Sequence, residues 1–159
     1  MSANELWLES YQGEVLGEAL FGLLAQREAD PTRRHQLQVL SALERTMKEL
    51  AEPVLERRSL DSADTEATIS SAGPMADGVA VMSWEQFLGS FEPVISQYLE
   101  RYRQLVELAT DDGEREVAEA YVAHELAISA FCRRALGREP GEPLQPILDL
   151  PQFADTISA

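Results

Sequence analysis

The chain has 159 residues, 45% of them hydrophobic, and a formal net charge of −15. That suits one domain with a single core and excludes wholesale disorder. The acidity argues against nucleic acid and against anionic membrane surfaces, since 28 Asp+Glu outnumber 13 Lys+Arg and no basic stripe forms.

The first helix is expected from about residue 4 to residue 28. Leu8, Tyr11, Val15, Ala19 and Leu23 step by three or four along one face, and Asn4 is the expected N-cap. Glu14 falls off this stripe and is expected to be exposed. Gly13, Gly17 and Gly22 weaken the helix, and their spacing invites the close approach of another backbone. Asp30-Pro31 opens a second helix, over about 31–57, as N-cap and first helical residue. Its apolar face is Leu37, Leu40, Leu43, Met47, Leu50 and Val54, with Pro53 expected to kink or fray the end. The link between the two is so short that they form an antiparallel hairpin.

Residues 59–83 are small, polar and aperiodic, and read as a long crossover that Val79-Ala-Val-Met82 would tack down. Ser83, with Glu85 and Gln86 behind it, caps a third helix over about 84–109. Its face is Phe87, Phe91, Val94, Tyr98, Tyr102 and Leu105, bent at Pro93. Thr110-Asp-Asp-Gly is a turn. The fourth helix, about 112–136, carries Val117, Tyr121, His124, Ile128, Phe131 and Ala135, and Gly137 ends it. In the Pro-rich tail, 138–159, Leu144, Ile147, Leu148 and Leu150 would pack a short turn, with the last residues loose. The expected fold is all-α: a hairpin, a long crossover and a second hairpin.

On this arrangement, and on the stretches Gly17-Glu-Ala-Leu-Phe21, Leu43-Glu-Arg-Thr-Met-Lys48 and Tyr121-Val-Ala-His-Glu125, the chain resembles the ferritin-like superfamily, rubrerythrin-type bundles most. The resemblance implies an up-down-down-up four-helix bundle with the crossover between helices 2 and 3. It also implies metal ligands: one Glu on each of two helices and Glu-x-x-His on each of the others. Glu18 matches the first-helix Glu, Glu44 the second-helix Glu and His124 the fourth-helix His. Met47 stands where a His belongs and Tyr121 where a Glu belongs. The third helix offers no carboxylate on its stripe, only Gln97 and Arg101 at the edge. If Glu18 or Glu44 reaches inward it must be paired, with His124, Arg101 or Tyr121 as partners, so a polar Glu–His–Tyr cluster edged by Arg101 and Gln97 would replace the metal.

Other polar residues read as ordinary. Glu119 and Glu125 flank the fourth stripe and are expected to be solvated, His35 to be exposed, and Cys132 to be a buried structural thiol. No catalytic residue and no phosphate-binding loop can be named. The leading expectation is a non-catalytic binding or interaction module, self-associated as a dimer. The alternatives are a metal-binding oxidoreductase with iron or manganese at an atypical Glu18, Glu44 and His124 site, and a binder of a small apolar molecule lined by Tyr11, Tyr98, Tyr102, Tyr121 and Phe131. One cysteine, the absence of a signal-like N-terminus and the absence of a long apolar run lead to the expectation of a cytoplasmic protein without membrane spans.

Overall fold

The computed structural model describes residues 1–62 and 65–153, and what was expected of Ala63, Asp64 and the last six residues lies outside them. Among the described residues all regular structure is helical, and no helix is long and apolar enough to cross a membrane. The chain divides into two compact units, Met1–Val81 and Met82–Ala159.

The first unit contains α1 (Ala3–Arg27), α2 (Pro31–Arg57) and α3 (Thr65–Val79). The N-cap of α1 is Ser2, not Asn4. Ser2 Oγ accepts from the Glu5 amide at 3.3 Å, and Glu5 Oε2 accepts from the Ser2 amide at 2.7 Å, closing a capping box. Asn4 instead accepts from Arg58 Nη1 at 2.7 Å, pinning the start of α1 to the end of α2. Asp30 caps α2 as expected, its carboxylate accepting from the Arg33 amide at 2.8 Å. Arg34 donates to the Glu28 and Ala29 carbonyls at the opposite end. These contacts fix α1 and α2 as antiparallel neighbours.

The helix α2 runs through Pro53 to Arg57 and ends in a Schellman motif. The Leu60 amide donates to the Leu55 carbonyl and the Ser59 amide to the Glu56 carbonyl, with Ser59 at φ 54°. A serine thus occupies the left-handed position that glycine fills at no steric cost.

The stretch read as an aperiodic crossover holds α3. Its Gly73, Pro74 and Gly78 depress intrinsic helicity, so tertiary packing is what keeps it helical. Ala72 and Ala76 are its buried residues, and it lies on α1. Thr68 donates to Gln12 and Arg27 pairs with Asp77 at 2.9 Å, so α3 runs parallel to α1. Val81 is 87% exposed and Met82 44%, so the apolar run after α3 does not tack the segment down.

The second unit contains α4 (Trp84–Gly89), α5 (Phe91–Leu108), α6 (Asp112–Ala135) and α7 (Gln145–Leu148). Ser83 and Gln86 form the expected capping box. The third expected helix is interrupted at Ser90, three residues before Pro93, and is described as two helices, α4 and α5. The Pro93 ring would clash with the Gly89 carbonyl four residues back in a continuous helix, but it fits the first turn of a new one. Ile95 is buried where Val94 was expected and Val94 is 43% exposed, while Tyr102 and Leu105 stay inside. The fourth helix matches its expected span. Asp111 caps it, Glu114 Oε2 accepts from the Thr110 amide, and Gly137 at φ 70° closes its Schellman end. Leu144, Ile147, Leu150 and Phe153 are buried about α7, which packs on α6, and Gln152 donates to the Ala120 carbonyl.

Candidate functional site

In the first unit a buried carboxylate sits on each helix of the α1–α2 pair. The inward stripe of α1 runs through Trp7, Tyr11, Glu14, Phe21 and Leu24, spaced three or four residues apart except across Gly17. That of α2 runs through Leu37, Leu40, Glu44, Met47, Ala51 and Val54. Glu14 is 1% exposed and Glu44 6%, and a carboxylate oxygen of each lies within 4.8 Å of the other. The expectation that Glu14 is exposed is therefore corrected. The signal was present in sequence, since Glu14 continues the step from Trp7 and Tyr11 toward Phe21.

Gly17 makes the room for this arrangement. A Cβ at residue 17 would stand 2.5 Å from Glu44 Oε2 and 2.8 Å from its Cδ. The missing side chain on α1 is what lets the Glu44 carboxylate lie against that helix.

Two full negative charges at such a separation repel by about 3 kcal/mol at an effective dielectric of roughly 20. Burial adds the loss of hydration. The pair therefore needs compensating positive charge, supplied by a shared proton, a cationic partner or a metal ion.

Glu18 is used differently. Its two oxygens pair with Arg45 Nε at 2.7 Å and Lys48 Nζ at 2.6 Å on the half-exposed flank. Partial desolvation pushes its carboxyl up, but the hydrogen bonds and charges of Lys48 and Arg45 outweigh this and hold it below the ordinary value of 4.5. Ser41 donates to the Glu18 carbonyl at 2.9 Å. Of the expected ligands on this unit, Glu44 thus joins Glu14, and Glu18 joins two cations.

In the second unit His124 is 1% exposed. Its Nδ1 lies 2.6 Å from the Tyr121 carbonyl. A carbonyl only accepts, so Nδ1 is the donor in this contact. Nε2 lies 3.5 Å from Glu125 Oε2, and Glu125 is buried, not solvated as expected. Glu119 and His35 are exposed, as expected.

The rings of Tyr102 and Tyr121 meet edge-to-face at 4.9 Å, and His124 lies 5.5 Å from Tyr121 and 5.7 Å from Tyr102. Tyr98 extends this stack and carries the Arg101 guanidinium 5.4 Å from its centroid. Gln97 is exposed. Cys132 is buried, and burial together with the Glu125 charge pushes its thiol up to about 12, against the pull of Arg133.

Compared with family models, with curated proteins and with solved structures, the chain matches none.

Proposed function

We propose that the chain is a cation-binding helical protein of the ferritin-like kind, with Glu14 and Glu44 holding one divalent ion, iron or manganese. The observation that carries this reading is the buried Glu14–Glu44 pair, with Gly17 leaving the space for the second carboxylate. Two carboxylates supply the charge that balances one divalent ion, and their hard oxygens suit Mn²⁺ or Fe²⁺ better than soft metals. Met47 and Tyr121 are both fully buried, and on the ferritin-like reading they replace the His and the Glu of a rubrerythrin-type bundle. That favours a binding module over a di-iron oxidoreductase.

Elemental analysis of protein purified from iron- and manganese-supplemented growth tests the reading. Close to one equivalent of metal is expected, with Glu14→Gln and Glu44→Gln each losing most of it. Trace metal in the wild type, or undiminished metal in the double variant, would sink the proposal. In the first case a proton shared by the two carboxyls would account for their burial.

A further inference from the structure

A cleft of about 410 Å³ opens in the second unit among α4, α5 and α6. That volume lies at the lower end of the roughly 300–1,000 Å³ typical of small-molecule sites. Leu88, Ile95, Leu99, Leu136 and the Cys132 sulfur make it apolar. Its charged lining residues are two arginines, Arg133 and Arg138, against one carboxylate, Glu92. Glu139, just outside the lining, offsets Arg133, so the cation that the cleft presents is Arg138. Arg133 Nη1 donates to Ser129 Oγ at 2.6 Å and its Nε lies 3.6 Å from Glu139, which holds that guanidinium in place. The Arg138 guanidinium is exposed and makes no ion pair among the described residues, so it is available to an incoming anion.

We propose that this cleft binds a small amphiphilic carboxylate, its hydrocarbon body lying along Leu88, Ile95, Leu99 and Leu136 and its head group meeting Arg138 and Arg133. The apolar wall supplies the area removed from water. Arg138 selects the charge, and its guanidinium suits the planar, two-oxygen geometry of a carboxylate. None of the tyrosines lines this cleft, and the site is independent of the Glu14–Glu44 pair.

Gly89 lines the cleft, and a Cβ built there meets nothing within 4 Å. A side chain introduced at that point thus starts in open space beside the cleft. Isothermal titration of the full chain with octanoate should give saturable binding with one site. Octanamide, which keeps the chain length and loses the charge, should bind at least ~10-fold more weakly, as should octanoate to Arg138→Ala. Gly89→Leu should abolish binding while leaving the thermal midpoint in place. Should that variant fail to fold, Ser96→Leu on the neighbouring turn of α5 blocks the same cleft. The proposal is overturned if octanoate shows no saturation at millimolar concentration. It is equally overturned if octanamide binds as well as octanoate, or if a folded blocking variant binds undiminished.

Discussion

Replacing Gly17 by alanine isolates the role of the space beside Glu44. In a helix interior, Gly→Ala ordinarily stabilises by about 0.5–1 kcal/mol, because glycine loses more backbone entropy on folding. At residue 17 the new Cβ meets Glu44 Oε2 at 2.5 Å, Cδ at 2.8 Å and Cγ at 3.0 Å. These are atoms of a buried side chain, so the carboxylate must rotate away from its seat or the helices must part. Overpacking of that kind costs about 1–3 kcal/mol. The balance is a net loss of about 1 kcal/mol, or roughly 2–4 °C in Tm for a chain of this length. Gly22 is the internal control, because its added Cβ would meet Ser41 Oγ at an ordinary 3.4 Å. Gly22→Ala should keep the propensity gain of up to ~1 kcal/mol, opening a gap of roughly 2 kcal/mol between the two variants. Thermal unfolding followed by far-UV circular dichroism, in metal-free buffer, measures both. Adding Glu44→Ala to Gly17→Ala should remove the steric part of the penalty. The reasoning is refuted if Gly17→Ala proves as stable as Gly22→Ala, since Glu44 would then leave its seat at no cost.

Three further outcomes follow from the local chemistry. Ser59→Gly should stabilise the first unit by about 0.5–1 kcal/mol, because it relieves the left-handed backbone at φ 54°; an unchanged denaturation midpoint would count against the strain. Glu18 has a folded-state pKa below its ordinary 4.5, so its contribution is present above that pH and is lost as pH falls through the folded value. Glu18→Gln should therefore cost up to ~1 kcal/mol at neutral pH, with the difference from wild type vanishing in acid. A difference that persisted unchanged to low pH would show that packing, not charge, was lost. Cys132, with its thiol pushed up to about 12, should react with a thiol reagent near pH 8 about 10³-fold more slowly than a free cysteine, and at the ordinary rate in denaturant. Fast labelling of the folded protein would place the sulfur at the surface.

Where a signal was local, the chain was readable. Asp30-Pro31, Ser83 with Gln86, and Gly137 each act on backbone groups within a turn of themselves, and each does so where expected. The spans of α1, α2 and α6 came out within a residue or two for the same reason. Asn4 failed as a cap because Ser2, two residues earlier, offers both halves of a reciprocal pair with Glu5. The helix α3 was hidden because Gly73, Pro74 and Gly78 speak against it locally, and its support comes from α1, some 50 residues away in sequence. At the candidate site, Glu44 was picked out but its partner was not. The stripe of α1 was drawn through Leu8, Val15 and Ala19, which left Glu14 beside it, whereas the step from Trp7 and Tyr11 carries Glu14 inward; the space that Gly17 leaves for Glu44 shows only with α2 in place. Glu125 was misread by the same logic. Glu18 was singled out by resemblance alone, and resemblance carries no information about Arg45 and Lys48 across the groove.

The α1–α3 seam has a consequence for how the first unit opens. A helix whose buried residues are Ala72 and Ala76 removes little apolar area, and its ion pair at Arg27–Asp77 is solvent-exposed. Undocking it leaves the hydrogen bonds of α1 and α2 intact. In hydrogen exchange the amides of α3 should thus form a separate cooperative segment, opening at lower free energy than the amides beneath Leu40 and Met47. The unit would lose its third helix first and its hairpin last, so two unfolding events would share one short stretch of chain.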